Sequence, residues 1–159
     1  MIPITKPYLN EKEAQAAYEA VMSGWVVQGP KVQAFEKAFE HYIGCDYAIA
    51  TSSCTTALHL SLKVAGIKEG DEVICPSMSY IATANAVVHA GALPVFAEVK
   101  PFTYNLDIED VEKKITHRTK AILLVHQIGM PADIDAFSAL CKKHHLMLIE
   151  DAACALGSE

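Results

Sequence analysis

The chain has 159 residues, 52% of them hydrophobic, which suits one domain with a sizeable core and excludes a disordered or fibrous composition. Thirteen Lys and Arg against nineteen Asp and Glu give a formal charge of −6, spread without basic runs, so a nucleic-acid groove or a polybasic membrane contact is not expected. Met1-Ile2-Pro3-Ile4-Thr5-Lys6 lacks the regions of a signal peptide and no apolar run is long enough to span a bilayer, so the expected location is cytoplasmic. The five cysteines are odd in number and show no Cys-x-x-Cys spacing, which argues for reduced thiols rather than a disulfide framework or a structural zinc site.

Two helices are predicted first. Asn10 caps a segment running to about Ser23, and Pro30 opens a second through Phe35 and Phe39 that Gly44 closes. The loop between them, Ser23-Gly24-Trp25-Val26-Val27-Gln28-Gly29-Pro30, places Trp25 either as a binding residue or as a packed hydrophobic anchor. An alternation follows: strand 46–50, helix 54–65, strand 72–75, helix 80–90 and strand 93–98. It goes on with helix 108–115, strand 120–125, helix 134–144 and strand 147–150. Such repetition implies an α/β fold, a mainly parallel sheet with helices on both faces. The expected division is an N-terminal helical segment, 1–45, and an α/β region, 46–159, with no closing helix after its last strand.

Several positions carry chemistry-bearing residues. Ser52-Ser53-Cys54-Thr55-Thr56 is a hydroxyl-rich turn opening a helix, where unpaired backbone N–H groups and the helix dipole suit a phosphate monoester; the alternative is that Ser52 or Ser53 is only an N-cap. Tyr80 follows the strand ending at Pro76, placed either to stack on a heteroaromatic ring or to pack in the core. Glu150-Asp151 ends the last strand, where alternation sends the two carboxylates to opposite sides. One of them, set against a pyridine nitrogen, would keep it protonated; a metal ligand or a helix cap is the other possibility. A phosphate site and a carboxylate together suggest a cofactor with a phosphate and a basic ring nitrogen, and pyridoxal 5'-phosphate (PLP) has both.

The remaining polar motifs are read more simply. Asp133-Ile134-Asp135 and His144-His145 sit where acids and imidazoles complement helix ends, so no metal site is expected. His126 leaves a strand at the functional edge and is open to a structural or a substrate-facing role. Neither Gly-x-Gly-x-x-Gly nor a Walker loop is present.

These residues, in order and at compatible spacing, resemble the N-terminal part of the sugar aminotransferases of the DegT/DnrJ/EryC1 family, PLP enzymes of the aspartate-aminotransferase fold type. The resemblance rests on Ser23-Gly24-Trp25 with Gly29-Pro30, Phe35-Glu36, Ser52 through Leu60, Gly70-Asp71-Glu72-Val73-Ile74, Pro76 through Asn85, Gly91 with Pro94-Val95-Phe96, Arg118 through Ile122, Val125-His126 and Glu150-Asp151-Ala152-Ala153. It implies that Thr55, with Ser53 and the backbone around Cys54, holds the cofactor phosphate, that Tyr80 stacks on the ring and that Asp151 pairs with its nitrogen. It also puts Cys154 near the phenolic oxygen, at a position that usually carries Gln or His; Cys54 stands where Gly is frequent and Glu98 where Asp is.

The implied function is transfer of an amino group, from glutamate, to a nucleotide-linked keto-deoxysugar, by a homodimer in which Trp25 and His126 are candidate substrate contacts. The family's Schiff-base lysine is expected beyond Glu159, with the rest of the large domain. A PLP- or PMP-dependent sugar dehydratase and a non-catalytic ligand-binding domain are the alternatives.

Overall fold

The computed structural model describes residues 6–158, which form two compact units dividing between Ala50 and Thr51. In the first, α1 (Glu11–Met22) starts at Asn10, whose side chain accepts from the Lys12 N–H at 2.9 Å while Glu13 accepts from the Asn10 N–H at 2.7 Å. Pro30 begins α2 (Pro30–Ile43), since its fixed φ suits a first turn and its missing N–H costs nothing there. Gly44 ends it at φ 76°, a left-handed cap that favours glycine. The expected strand at 46–50 is not formed. A strand needs a neighbour for its ladder, and here the N–H groups of Ala48 and Ala50 go instead to the carboxylates of Glu40 and Glu36, at 3.3 and 2.8 Å.

The second unit follows the predicted alternation. After α3 (Cys54–Val64) come β1 (Glu72–Pro76), α4 (Ala82–His89), β2 (Leu93–Ala97), α5 (Ile108–Lys114), β3 (Thr119–Val125), a single 3-10 turn (Gln127–Gly129), α6 (Ile134–His144) and β4 (Met147–Asp151). The four strands form one parallel sheet in the order β2-β1-β3-β4. The α/β class with helices on both faces is therefore observed as expected.

Side-chain alternation explains the layers. From the central strands, Val73, Cys75, Ala121, Leu123 and Val125 pack with Leu58 and Leu62 of α3 and Ala86 and Val87 of α4. Ile74, Ile122 and Leu124 point the other way, to Val111 of α5 and Phe137, Leu140 and Cys141 of α6. Being covered on both faces, β1 and β3 read as nearly continuous apolar runs, whereas β2 and β4 are only partly buried.

The strand order places a crevice. From β1 the chain crosses to β2 on one side, and from β3 it continues to β4 on the other, so the segments leaving β1 and β3 diverge. In such sheets, ligands bind outside the carboxyl ends of the strands at that switch point. At the opposite edge Glu72 is buried, accepting from Thr116 Oγ1 at 2.6 Å and pairing with the Arg118 guanidinium at 2.5 Å. This fastens the start of β1 to the segment entering β3.

Candidate active site

Asp151, the last residue of β4, is 8% exposed at the carboxyl edge of the sheet. Alternation sends it to the α3/α4 face, while Glu150 turns to the other, as the sequence predicts. Its Oδ1 accepts from the Ala153 N–H at 3.2 Å and from the Cys54 thiol at 3.6 Å, and its Oδ2 accepts from the Thr83 hydroxyl at 3.5 Å. Among the described residues no Lys, Arg or His nitrogen lies within 4.0 Å of this carboxylate. A buried carboxylate held only by neutral donors is costly, and it favours a cationic ligand.

Cys54 joins Asp151 to the N-terminus of α3. Ser53 is the N-cap, its hydroxyl accepting from the Thr56 N–H at 3.2 Å and lying 3.0 Å from Thr56 Oγ1; Ser52 Oγ lies 3.3 Å from that same Oγ1. The capping role foreseen for Ser53 is thus real. It does not exhaust the turn, because the backbone N–H groups of Cys54 and Thr55 have no protein acceptor among the described residues. Two free donors at the positive end of an 11-residue helix, ringed by hydroxyls, suit a phosphate. Thr55 is half-buried in that first turn. Packing around the Cys54 sulfur, with the Asp151 carboxylate beside it, pushes the Cys54 thiol up, so at neutral pH it is a neutral donor.

Tyr80 is 78% exposed just before α4, so it is not a core residue. Its carbonyl accepts from the Thr83 N–H at 3.1 Å, and Thr83 Oγ1 lies 2.8 Å from Ser79 Oγ. The segment holding Tyr80 is tied to β3's exit through a hydrogen bond from the Gln127 amide to the Met78 carbonyl.

His126 directly follows β3. Its ring is buried, and Nδ1 accepts from the Ala132 N–H at 3.0 Å, which leaves the proton on Nε2 to be donated to Glu150 at 3.0 Å. With both nitrogens engaged by protein, His126 braces the turn after β3. Asn105, which sequence reasoning passed over, clamps the same turn by donating to the Met130 and Pro131 carbonyls and accepting from the Gln127 N–H, all at 3.0–3.1 Å. Gly129 completes it at φ 86°; a Cβ there would stand 3.0 Å from the Cys154 carbonyl oxygen, so the turn lies directly against the segment after Asp151.

Cys154 is exposed in that segment, and Trp25 is 58% exposed in the first unit with its indole N–H donated to the Gln28 carbonyl at 2.8 Å. Asp133 caps α6 by accepting from the Ala136 N–H at 3.0 Å. Among the described residues no three His, Cys, Asp or Glu side chains are grouped to hold a metal ion, and no helix is long and apolar enough to cross a membrane.

The family described as DegT/DnrJ/EryC1/StrS aminotransferases matches residues 7–159. The chain belongs to this family. Among relatives, the dTDP-4-dehydro-2,3,6-trideoxy-D-glucose 4-aminotransferase of Saccharopolyspora spinosa is 41% identical over 160 aligned positions, covering 99% of this chain and 42% of the relative. Of solved structures, DesV of S. venezuelae, in complex with a ketimine intermediate, is 43% identical with a TM-score of 0.88, over 92% of this chain and 40% of DesV. NtdA of Bacillus subtilis, with bound PMP, is 37% identical with a TM-score of 0.86, over 89% of this chain and 33% of NtdA. The chain thus spans about two fifths or less of each of these DegT/DnrJ/EryC1/StrS relatives.

Proposed function

We propose that the protein is a PLP-dependent aminotransferase that passes an amino group, with glutamate as donor, to a nucleotide-linked keto-deoxysugar. The observation that carries this reading is Asp151, a buried carboxylate without a cationic partner among the described residues, linked through Cys54 to a helix N-terminus with two N–H groups that no described residue accepts. Those features suit the two poles of PLP, a protonated pyridine and a phosphate. The names of relatives in the same family, a keto-sugar 4-aminotransferase and a PMP-bound structure, support the reaction and the cofactor.

In this reading Ser53, Thr55 and the Cys54 and Thr55 N–H groups bind the phosphate dianion, and Tyr80 covers one ring face and sheds water from it. Asp151 holds a proton on the ring nitrogen by charge pairing, and Cys154 stands near the phenolic oxygen. PLP, when bound, supplies an electron sink for a carbanion at the amino-bearing carbon. Trp25 is proposed as a substrate contact, the enzyme as a cytoplasmic homodimer, and residues 46–159 as part of the PLP-binding large domain.

The test is an absorption spectrum of the protein expressed from its complete reading frame, with PLP, before and after borohydride. A visible band of bound PLP that borohydride removes, leaving the cofactor covalently attached, is expected. PLP bound without such a band would replace transamination by the dehydratase reading, and no PLP binding would overturn the proposal.

A further inference from the structure

Thr83 is 2% exposed, the one polar side chain among the buried residues of α4, which are otherwise Ala82, Ala86 and Val87, and no role in phosphate or ring binding falls to it. It nevertheless touches each piece that would set the cofactor ring. Its backbone N–H donates to the Tyr80 carbonyl at 3.1 Å, and its hydroxyl lies 2.8 Å from Ser79 Oγ and 3.5 Å from Asp151 Oδ2.

The direction of this chain follows from proton counting. Thr83 has one hydroxyl proton, and an ionised carboxylate only accepts. The contact with Asp151 therefore requires Thr83 to donate to it, and Ser79 then donates to Thr83. The short Ser79 bond is the firm one, and it polarises the Thr83 hydroxyl toward the carboxylate. With Oδ1 taken by Ala153 and Cys54, and one side of Oδ2 taken by Thr83, the carboxylate cannot rotate freely. Ser79 directly precedes Tyr80, so the same bonds fix the stacking residue relative to the carboxylate.

We propose that Ser79 and Thr83 are positioning residues that orient Asp151 for the pyridine nitrogen and couple its placement to that of Tyr80. This rests on the reading of Asp151 as the ring-nitrogen partner. Neither hydroxyl reaches the reacting atoms; each acts through the carboxylate.

The experiment uses the complete protein loaded with ring-15N PLP, comparing wild type with Thr83→Val, Thr83→Ser, Ser79→Ala and Asp151→Asn. Cofactor affinity is read by fluorescence, ring protonation by the 15N chemical shift and folding by melting of the cofactor-free protein. Thr83→Val is expected to raise the PLP Kd about tenfold, as for loss of one hydrogen bond to a charged group, and to move the 15N signal toward the unprotonated ring. Thr83→Ser should restore both, which a packing role would not explain. If Thr83→Val does not fold, Ser79→Ala carries the test, with the same 15N displacement expected. A wild-type 15N signal and affinity in the folded hydroxyl-free variant would overturn the relay. If Asp151→Asn also leaves both unchanged, the underlying assignment of Asp151 fails instead, so the two failures are separable.

Discussion

Single side chains at this site are informative through their partners more than their type. Asp151 and His126 were both placed by sequence at the carboxyl edge of the sheet, yet one has no cation beside its carboxylate among the described residues and the other has both nitrogens engaged. No pattern in the sequence separates those outcomes, because they depend on Ala132 and Glu150 arriving from either side. The cysteines differ in the same way. Cys75, buried in β1, has its thiol pushed by burial from 9.0 up to about 12. A thiol raised in the folded state gives stability that is intact below the unfolded value and is lost as pH rises toward the folded one. Between pH 9 and about 12 wild-type stability should therefore fall by about 1.4 kcal/mol per pH unit from this group alone. Urea unfolding across that range should show a shallower alkaline decline in Cys75→Ala, even though that variant starts less stable at pH 7.

At the scale of elements, helix ends were the most legible features. Asn10, Pro30, Gly44 and Asp133 stand at the termini where local backbone rules put them, since a cap satisfies donors a few residues away and needs no tertiary contact. Ser53 has a cap's local role and a proposed share in phosphate binding. Ser53→Ala should cost about 1 kcal/mol in unfolding free energy, by loss of the bond to the Thr56 N–H. It should also weaken PLP binding by more than the stability loss explains, since a folded variant still lacks the hydroxyl. Comparing urea midpoints with PLP titration tests this. The turn after β3 was not legible. Ile128 takes a left-handed φ of 54° there, unfavourable for a β-branched residue, and it is kept by the Asn105 clamp and by Gly129 against Cys154.

Across the second unit, stability and site occupy opposite ends of one sheet. Glu72, Thr116 and Arg118 lock the amino edge of β1 and β3, while Asp151, Tyr80 and the α3 turn gather at the carboxyl edge. Because Glu72 is buried and Arg118 half exposed, Glu72→Gln should cost about 2 kcal/mol. Its denaturation midpoint should drop with little change in the slope, and the PLP Kd of the complete protein should stay at the wild-type value. An altered Kd would mean that the two edges are coupled through the strands.

The sequence by itself determined the α/β class, the order and approximate limits of the helices, the four paired strands and the family, because periodicity, caps and turn residues act over a few positions. Tertiary structure decided pairing and partnership. Residues 46–50 have strand-like composition, but their N–H groups bond to Glu36 and Glu40 and no ladder forms. Thr83 looks like an ordinary helical residue until the fold brings it to Asp151 from 68 residues away. A strand or a polar relay exists only when two distant segments meet, and that meeting is set by the packing of the whole sheet rather than by local sequence.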